Sequence, residues 1–340
     1  MLRFSVLHHL EAADGVGPDA VYGEVCAGVR EAEALGYDTV WIAEHHFSAG
    51  KGYAPDPLLL LMRLAGETHR IGLGTAVLPA PLYQPLRLAE SVAMADRLCG
   101  GRLRCGISSG SVADELRVFG LSLEQKHERL REALLWLRRA WSGEAVTRSP
   151  ASETDPAAAR TPLVPLPAQP LGDLVWLAAS TPGAARLAGE LGHHLLLPSL
   201  GAPDVLAANA AIYREALATA GVALQTRRVQ QTVHLIAHDD HATALRLAEP
   251  VVRWYYARYL RSGIVAPLAD DSLAAIMLRI NFVAGGPEAV AERLAALARA
   301  QGLTDVAFQA RLIGLAPADV SRTLTVAAQD VAPLLAAAAA

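Results

Sequence analysis

The alternation of short apolar runs with longer helical stretches constrains the fold of this chain more than any other feature. Eight apolar or β-branched runs are typical of strands, at residues 3–9, 38–45, 71–78, 102–108, 174–179, 193–199, 228–237 and 305–310. Helical periodicity fills most of the sequence between them, at residues 19–35, 56–69, 86–99, 124–141, 183–191, 203–220, 240–260, 286–301 and 317–338. Eight β/α units in succession predict a (β/α)8 TIM barrel of the α/β class, with its reactive groups at the carboxyl ends of the strands.

A length of 340 residues suits either two ordinary domains or one barrel, and the count of units favours a single domain over residues 1–340. Two insertions interrupt the pattern. Residues 143–172 are rich in proline, alanine and serine, which predicts a loop between the fourth unit and the fifth strand. Residues 261–285 follow the seventh strand on the functional face, and we predict that they form a lid.

Composition excludes several classes of function. The net charge is −4 and no basic cluster is interleaved with aromatic residues, so we expect a small-molecule partner and no nucleic acid. No apolar run reaches membrane length and the first residues do not resemble a signal peptide, so we expect a cytoplasmic protein without a membrane anchor. The cysteines Cys26, Cys99 and Cys105 form no C-x-x-C pair and are predicted to be reduced core residues.

Adjacent histidines end the first two predicted strands: His8 and His9, then His45 and His46. Adjacent residues of a strand point to opposite sides, so each pair brings one imidazole to the barrel interior. Two metal ligands on one strand would need a spacing of two, and the later strand ends supply no further histidine or carboxylate to complete a set. No metal site is predicted.

Several segments together resemble the bacterial luciferase-like flavin monooxygenase family. They are GYDTVWIAEHHF (36–47), the run from RIGLGTAVLP to ELRVFG (70–120), RWYYARY (253–259) and AGGPEAVAERL (284–294). The resemblance implies a barrel that binds reduced FMN, which reacts with O₂ through a C4a-(hydro)peroxyflavin and oxygenates a hydrophobic organic substrate. It also implies a separate NAD(P)H:flavin reductase, since the chain has no second nucleotide-binding G-x-G-x-x-G unit.

The resemblance assigns the catalytic role to His45, the first histidine of AEHHF. An imidazole with an ordinary pKa of about 6.5 both accepts and donates protons near neutral pH, which suits acid/base work. The simpler interpretation is a strand-end histidine that bonds a backbone carbonyl. His46 points the other way and is expected to be structural, and Glu44 is expected to contact the flavin or orient the site unless it forms a solvated ion pair.

The resemblance also places Ser108 beside the flavin ring and Ser109 toward its phosphate, where luciferase has an arginine. Ser180 and Thr181 precede a proline, a good first helical residue, so the amides of that helix are a candidate phosphate site. An ordinary threonine N-cap explains the same residues equally well. Arg129 is predicted to supply the missing cation, with a solvated helix arginine as the alternative.

The third strand ends in GTAVLP (74–79), where members of this family often hold a non-proline cis peptide under the flavin ring. This chain is one residue shorter there than luciferase. We therefore predict a strained bulge at 75–77, with Thr75 and Ala76 against the cofactor.

For the substrate chamber, the resemblance points to Trp254 and Tyr255, together with His8 or His9. An apolar stripe on a helix is the alternative explanation of the two aromatic residues. Apolar surface on the second and third helices predicts a homodimer.

Two other functions stay open. Deazaflavin F420 serves relatives of the same fold in hydride transfer, and a non-catalytic flavin-binding subunit is the third reading. The known non-catalytic luciferase subunit has asparagine where this chain has His45, which favours activity.

Overall fold

The computed structural model describes residues 2–48, 50 and 52–338. The strands are all short except the ninth: β1 Arg3–His8, β2 Thr39–Ile42, β3 Gly72–Thr75, β4 Leu78–Pro79, β5 Leu103–Arg104, β6 Gly106–Ser108, β7 Trp176–Ala178, β8 His194–Leu197, β9 Val229–Ala237, β10 Phe282–Gly285 and β11 Asp305–Gln309. The α-helices are α1 Pro18–Ala34, α2 Pro57–Ala65, α3 Pro85–Leu98, α4 Ala113–Val118, α5 Lys126–Trp141, α6 Pro182–Glu190, α7 Pro203–Thr219, α8 His241–Arg261, α9 Leu273–Arg279, α10 Pro287–Gln301, α11 Pro317–Val326 and α12 Ala332–Ala337. A π-helical turn, Ala327–Val331, joins the last two.

The strands form a parallel TIM-barrel-like sheet in which the pairing returns to its start. β1 pairs with β2 and β11, and the pairing continues through β7, β8 and β9 to β11. The third and fourth positions are each split in two, so that β3 pairs with β5 and β4 with β6. The predicted TIM barrel is confirmed, with these two strands interrupted.

Local sequence explains where the helices begin. Most start with a proline at the first or second position, where its missing N–H leaves no bond unmade. Asp56 caps α2 by accepting from the amides of Leu58 and Leu59, and Asp240 caps α8 by accepting from that of Thr243. These caps fix where the two helices begin.

Two layers of apolar residues hold the barrel. One lies between the strands and the surrounding helices. The other fills the barrel interior, where the Trp41 and Trp176 rings meet edge to face at 5.2 Å between centroids. These rings close the lower half of the barrel and leave its upper mouth open for a site.

The two insertions contain more regular structure than the expected loops. The segment between α5 and β7 holds 3₁₀ turns at Pro150–Ser152 and Leu171–Asp173 and one antiparallel bridge, Val146 to Thr161. The segment predicted as a lid ends in a strand, because β10 pairs in parallel with the upper half of β9. Strand β10 was not predicted from the sequence, because it has only four residues and ends at Gly285. Whether the preceding residues cover the site stays a prediction.

The three cysteines are free and buried. No helix within the described ranges is both long enough and apolar enough to cross a membrane.

Candidate active site

A cavity of about 380 Å³ opens at the carboxyl ends of the strands. This volume is in the range of small-molecule sites, and its place is where barrels of this kind hold their active sites. The sequence-predicted residues that line it are His9, Glu44, His45, Ala76, Ser108, Ser109, Ser180 and Thr181. The fold therefore brings together residues from five strand ends that are up to 172 positions apart, from His9 to Thr181.

His45 and His9 form a contact pair inside the cavity. His9 Nδ1 lies 3.1 Å from His45 Nε2, and the two rings stack with centroids 5.3 Å apart. Backbone hydrogen bonds hold the loops that carry them, because the His45 amide donates to the Ala54 carbonyl and the Ala43 amide donates to the His8 carbonyl. The His45 side chain is 19% exposed, so it can reach a ligand in the cavity.

His9 is a neutral imidazole in this contact. Burial holds the pKa of His9 well below its ordinary value, and the positive charge that His45 can carry adds to the effect. A neutral imidazole carries one N–H, so the tautomers of the two rings set which of His9 Nδ1 and His45 Nε2 donates across this contact.

Glu115 of α4 faces the other side of His45. Its Oε1 lies 3.7 Å from His45 Nδ1 and accepts a hydrogen bond of 3.2 Å from the backbone amide of His46. The His45 ring is therefore flanked by the neutral His9 imidazole on one side and by the Glu115 carboxyl on the other.

Glu44 is buried behind the same loop and meets the cavity edge. Its Oε2 accepts a hydrogen bond of 2.5 Å from the Tyr83 hydroxyl, and its Oε1 lies 3.0 Å from His46 Nε2. Burial, opposed by the Tyr83 hydrogen bond and assisted by the Asp56 and Glu115 carboxylates, raises the pKa of Glu44 to about 8. His46 does not line the cavity, and burial lowers its pKa.

Small polar groups and one lysine line the opposite wall. The Ser108 hydroxyl accepts from the Gly110 amide at 3.0 Å, and Lys126 Nζ donates to the Gly110 carbonyl at 3.1 Å. Across from them, Thr181 caps α6 by accepting from the Ala184 amide. This wall combines a cation, free hydroxyls and the N-terminus of a nine-residue helix.

The floor of the cavity is polar at one point. Gln230 lines it and accepts, at Oε1, a 3.1 Å hydrogen bond from the indole N–H of Trp41. Leu7 and Leu196 lie around it. The floor is thus an apolar surface with a fixed amide in it.

Thr75 does not line the cavity. Its hydroxyl donates to the Gly106 carbonyl and accepts from the Gly106 amide, both at 2.9 Å, and so joins the two split strands. Ala76 does line the cavity, and the Ala76–Val77 peptide bond, which is cis, separates β3 from β4.

Four other predicted residues lie away from the cavity: Arg129, His8, Trp254 and Tyr255. Arg129 is exposed and donates to Gln125 at 3.1 Å. His8 points out of the barrel and is buried, with its pKa lowered to about 3 by burial and then by Arg311.

Trp254 and Tyr255 on α8 also do not line the cavity. Tyr255 is fully buried and donates a hydrogen bond of 2.6 Å to Glu11 Oε2. Trp254 is 40% exposed and stacks under the Arg258 guanidinium at 5.5 Å. The structure therefore agrees with the alternative of an apolar helix stripe for Tyr255.

The sequence analysis missed Tyr83, Glu115, Lys126 and Gln230. Lys126 is one turn before Arg129 on the same helix, so a shift of three residues separates the predicted cation from the one at the cavity. The sequence pattern could have indicated Gln230, because residues 230 and 232 lie on the same face of β9 and both line the cavity. Within the described residues, no cluster of three histidine, cysteine or acidic side chains has metal-binding geometry.

Comparison with known proteins identifies the family of this chain. The model of the luciferase-like monooxygenase family matches residues 2–305. The oxygenase component of flavin-dependent trigonelline monooxygenase from Acinetobacter baylyi is 26% identical over 324 residues, 90% of this chain and 88% of that protein. F420-dependent glucose-6-phosphate dehydrogenase from Kineococcus radiotolerans is 29% identical over 329 residues, 92% of this chain and 93% of that one.

Solved structures agree on the fold. The oxygenating constituent of 3,6-diketocamphane monooxygenase from Pseudomonas putida, a type II Baeyer-Villiger enzyme in complex with FMN, superposes with a TM-score of 0.82 at 18% identity and 98% coverage of both chains. The family match covers most of the sequence, and the resemblance of AEHHF and its neighbours is confirmed. This chain belongs to the luciferase-like monooxygenase family.

Proposed function

We propose that this protein is a flavin-dependent monooxygenase that binds reduced FMN in the cavity and uses O₂ to oxygenate a hydrophobic organic substrate. The observation that carries the proposal is the His45–His9 pair at the cavity, 3.1 Å apart and flanked by Glu115. The trigonelline relative is named as the oxygenase component of a flavin-dependent enzyme, which supports a separate reductase as the source of reduced FMN.

The residues at the cavity fit a flavin phosphate. Ser109, Ser180 and Thr181 offer hydroxyls, the N-terminus of α6 offers its positive end, and Lys126 supplies the cation that Ser109 does not. Lys126 replaces Arg129 in our proposal because it lines the cavity and Arg129 does not. The apolar lining beyond Ser108, which includes Val77 and Leu196, suits a planar ring and an apolar substrate.

When bound, reduced FMN would supply the electrons that activate O₂. The protein's own part is proton handling at His45. His45 would exchange a proton with the bound ligand, with His9 3.1 Å from its Nε2 and the Glu115 carboxyl 3.7 Å from its Nδ1 to orient the ring. The buried surroundings of the pair also limit the access of bulk water.

A second candidate is hydride transfer with F420, which the dehydrogenase relative favours because it matches 92% of this chain. In that reading the same cavity would take a deazaflavin and His45 would act on a hydroxyl proton. A non-catalytic flavin-binding subunit is less favoured, since His45 has both a neutral imidazole and a carboxyl beside it.

Binding of the two cofactors separates these readings. We expect anaerobic titration to show saturable binding of reduced FMN and weaker binding of reduced F420. Binding of F420 alone would favour hydride transfer, and binding of neither would overturn the proposal.

The role of His45 is tested by oxygen transfer. With reductase, FMN, NADH and ¹⁸O₂, products from a panel of apolar ketones, aldehydes and arenes are examined by mass spectrometry. We expect His45→Ala to lower ¹⁸O incorporation by about 10²–10⁴-fold, the usual contribution of a general acid/base. His69→Ala on the exposed surface is the matched control. Equal incorporation in both variants would remove the assignment.

We also propose that the protein is a homodimer. Leu59 on α2 is 73% exposed, and Met94 and Leu98 on α3 are 55% and 61% exposed. These neighbouring helices present the apolar surface on which the sequence prediction rested.

A further inference from the structure

Glu44 is a buried carboxyl at the cavity that the proton handling at His45 does not use. Its side chain is 1% exposed, and each of its oxygens is occupied, Oε2 by the Tyr83 hydroxyl and Oε1 by His46 Nε2. We propose that Glu44 serves as a neutral carboxylic acid, a second proton-carrying group of this cavity beside His45. The inference deepens the proposed function and rests on it for its effect on FMN.

The groups around Glu44 argue for the neutral form. Tyr83, which precedes α3, and His46 contact it, while Asp56 at the start of α2 and Glu115 on α4 are the charged groups that act on it from other elements. Among these described neighbours there is no lysine or arginine. A buried carboxylate facing two other carboxylates and no permanent cation is disfavoured, so the carboxyl keeps its proton.

The hydrogen bonds allow one consistent placement of that proton. Tyr83 donates to Oε2, and burial keeps its hydroxyl protonated by raising its pKa. Burial also lowers the pKa of His46, so His46 is neutral and its Nε2 is free to accept. Glu44 then donates from Oε1 to His46 Nε2, and all three groups are uncharged.

This arrangement predicts how the site responds to alkali. The pKa of Glu44 is raised to about 8, so the neutral acid predominates below that pH and a new negative charge appears above it. FMN is an anion at its phosphate. An ionised Glu44 would repel this charge across the cavity from the wall that we propose holds the phosphate, and affinity for FMN should therefore fall as pH rises through this range, by at most about tenfold per pH unit for one proton.

The protonation state is tested first on the ligand-free protein, independently of any cofactor. With glutamate ¹³C-labelled at its carboxyl, the NMR resonance that disappears in Glu44→Gln identifies this group. We expect it to titrate near pH 8, and we expect Tyr83→Phe to move the midpoint higher because the Tyr83 bond stabilises the carboxylate. A resonance already ionised at about pH 6 would overturn the proposal whatever the protein binds.

The consequence for the ligand is tested with oxidised FMN between about pH 7 and about pH 9.5. We expect the wild-type Kd to rise above about pH 8, the Tyr83→Phe curve to be displaced to higher pH, and the Glu44→Gln curve to lack this step, since its amide has no proton to lose. Glu90→Gln on α3 is the matched control and should keep the wild-type step. A step that persists unchanged in Glu44→Gln would overturn the assignment, whereas failure to bind FMN at any pH would count against the proposed function instead.

Discussion

Replacing Thr75 by valine tests whether this residue serves the fold rather than the cofactor. The Thr75 hydroxyl makes two hydrogen bonds of 2.9 Å to the backbone of Gly106, donating to its carbonyl and accepting from its amide. Valine has nearly the same shape and suits a strand, so the change removes these two bonds without leaving a large cavity. Both groups are buried, and water cannot replace the hydroxyl.

The magnitude follows from the burial of the backbone groups. Leaving a buried donor or acceptor unpaired costs about 1–3 kcal/mol each. Two such groups at the lower half of that range give a loss of about 2–4 kcal/mol in the free energy of unfolding. Against a total stability of roughly 5–15 kcal/mol, this is a large fraction. With an m value near 3 kcal/mol/M, the urea midpoint should fall by about 1 M.

Urea denaturation followed by tryptophan fluorescence and by circular dichroism measures the change, and coincidence of the two probes checks that the transition is cooperative. Thr75→Ser keeps the hydroxyl and should recover most of the loss. Thr161→Val, at an exposed position, makes the same chemical change and should leave the midpoint within error. If Thr75→Val matched that control in stability but bound FMN more weakly, the hydroxyl would belong to the cofactor site and the present reasoning would be refuted.

Three further predictions concern the site and its surroundings. Lys126→Met should weaken FMN binding by about 10–100-fold, the value of a charge-assisted bond, and riboflavin binding much less, while Arg129→Met should change neither; equal effects on both ligands would contradict a phosphate role. Gly52→Ala should lower stability by more than about 2 kcal/mol in thermal unfolding, since its φ is +130° and the new Cβ would lie 1.7 Å from a backbone oxygen; an unchanged Tm would show that the loop can shift. Leu59→Glu combined with Met94→Glu should yield a monomer by sedimentation, and a persistent dimer would place the interface elsewhere.

The barrel was predictable because its signal is repeated. Each β/α unit carries the same contrast between a short apolar run and a helical period, so errors at single boundaries do not change the architecture. The interruption at Ala76–Val77 lies within the bulge predicted at 75–77, whereas the split at Cys105 was not predicted, since that strand has a continuous apolar pattern. β10 was missed for a related reason: a four-residue strand inside a long insertion, Phe282–Gly285, has too short a pattern to separate it from a loop.

The site was predictable where strands deliver side chains and unpredictable where helices do. His45 and Ser180 follow strands and Ser108 ends one, and the carboxyl ends of the parallel strands all meet at the same end of the barrel. Lys126 and Arg129 are on the first turn of the same helix, and only the rotation of that helix against the barrel selects the one that faces the cavity. Rotation depends on packing against neighbours, which a single sequence does not display.

The loops that carry His9 and His45 contain backbone conformations that local sequence propensity does not predict. Leu10 and Phe47, which follow His9 and His46, have φ values of +53° and +60°, a left-handed conformation that side chains other than glycine avoid at a cost of about 1–2 kcal/mol. Leu10 is 1% exposed, and burying a leucine is worth about 1.5–3 kcal/mol, so packing alone offsets its strain.

Phe47 has less compensation, because it is 68% exposed and its ring partners are His46 and Phe119, 5.5 Å and 5.6 Å away between centroids. An aromatic contact of this kind is worth about 0.5–1.5 kcal/mol, which barely balances the backbone cost. The loop that presents His45 is therefore held less firmly than the loop that presents His9, and its geometry depends on α4, the helix that also supplies Glu115.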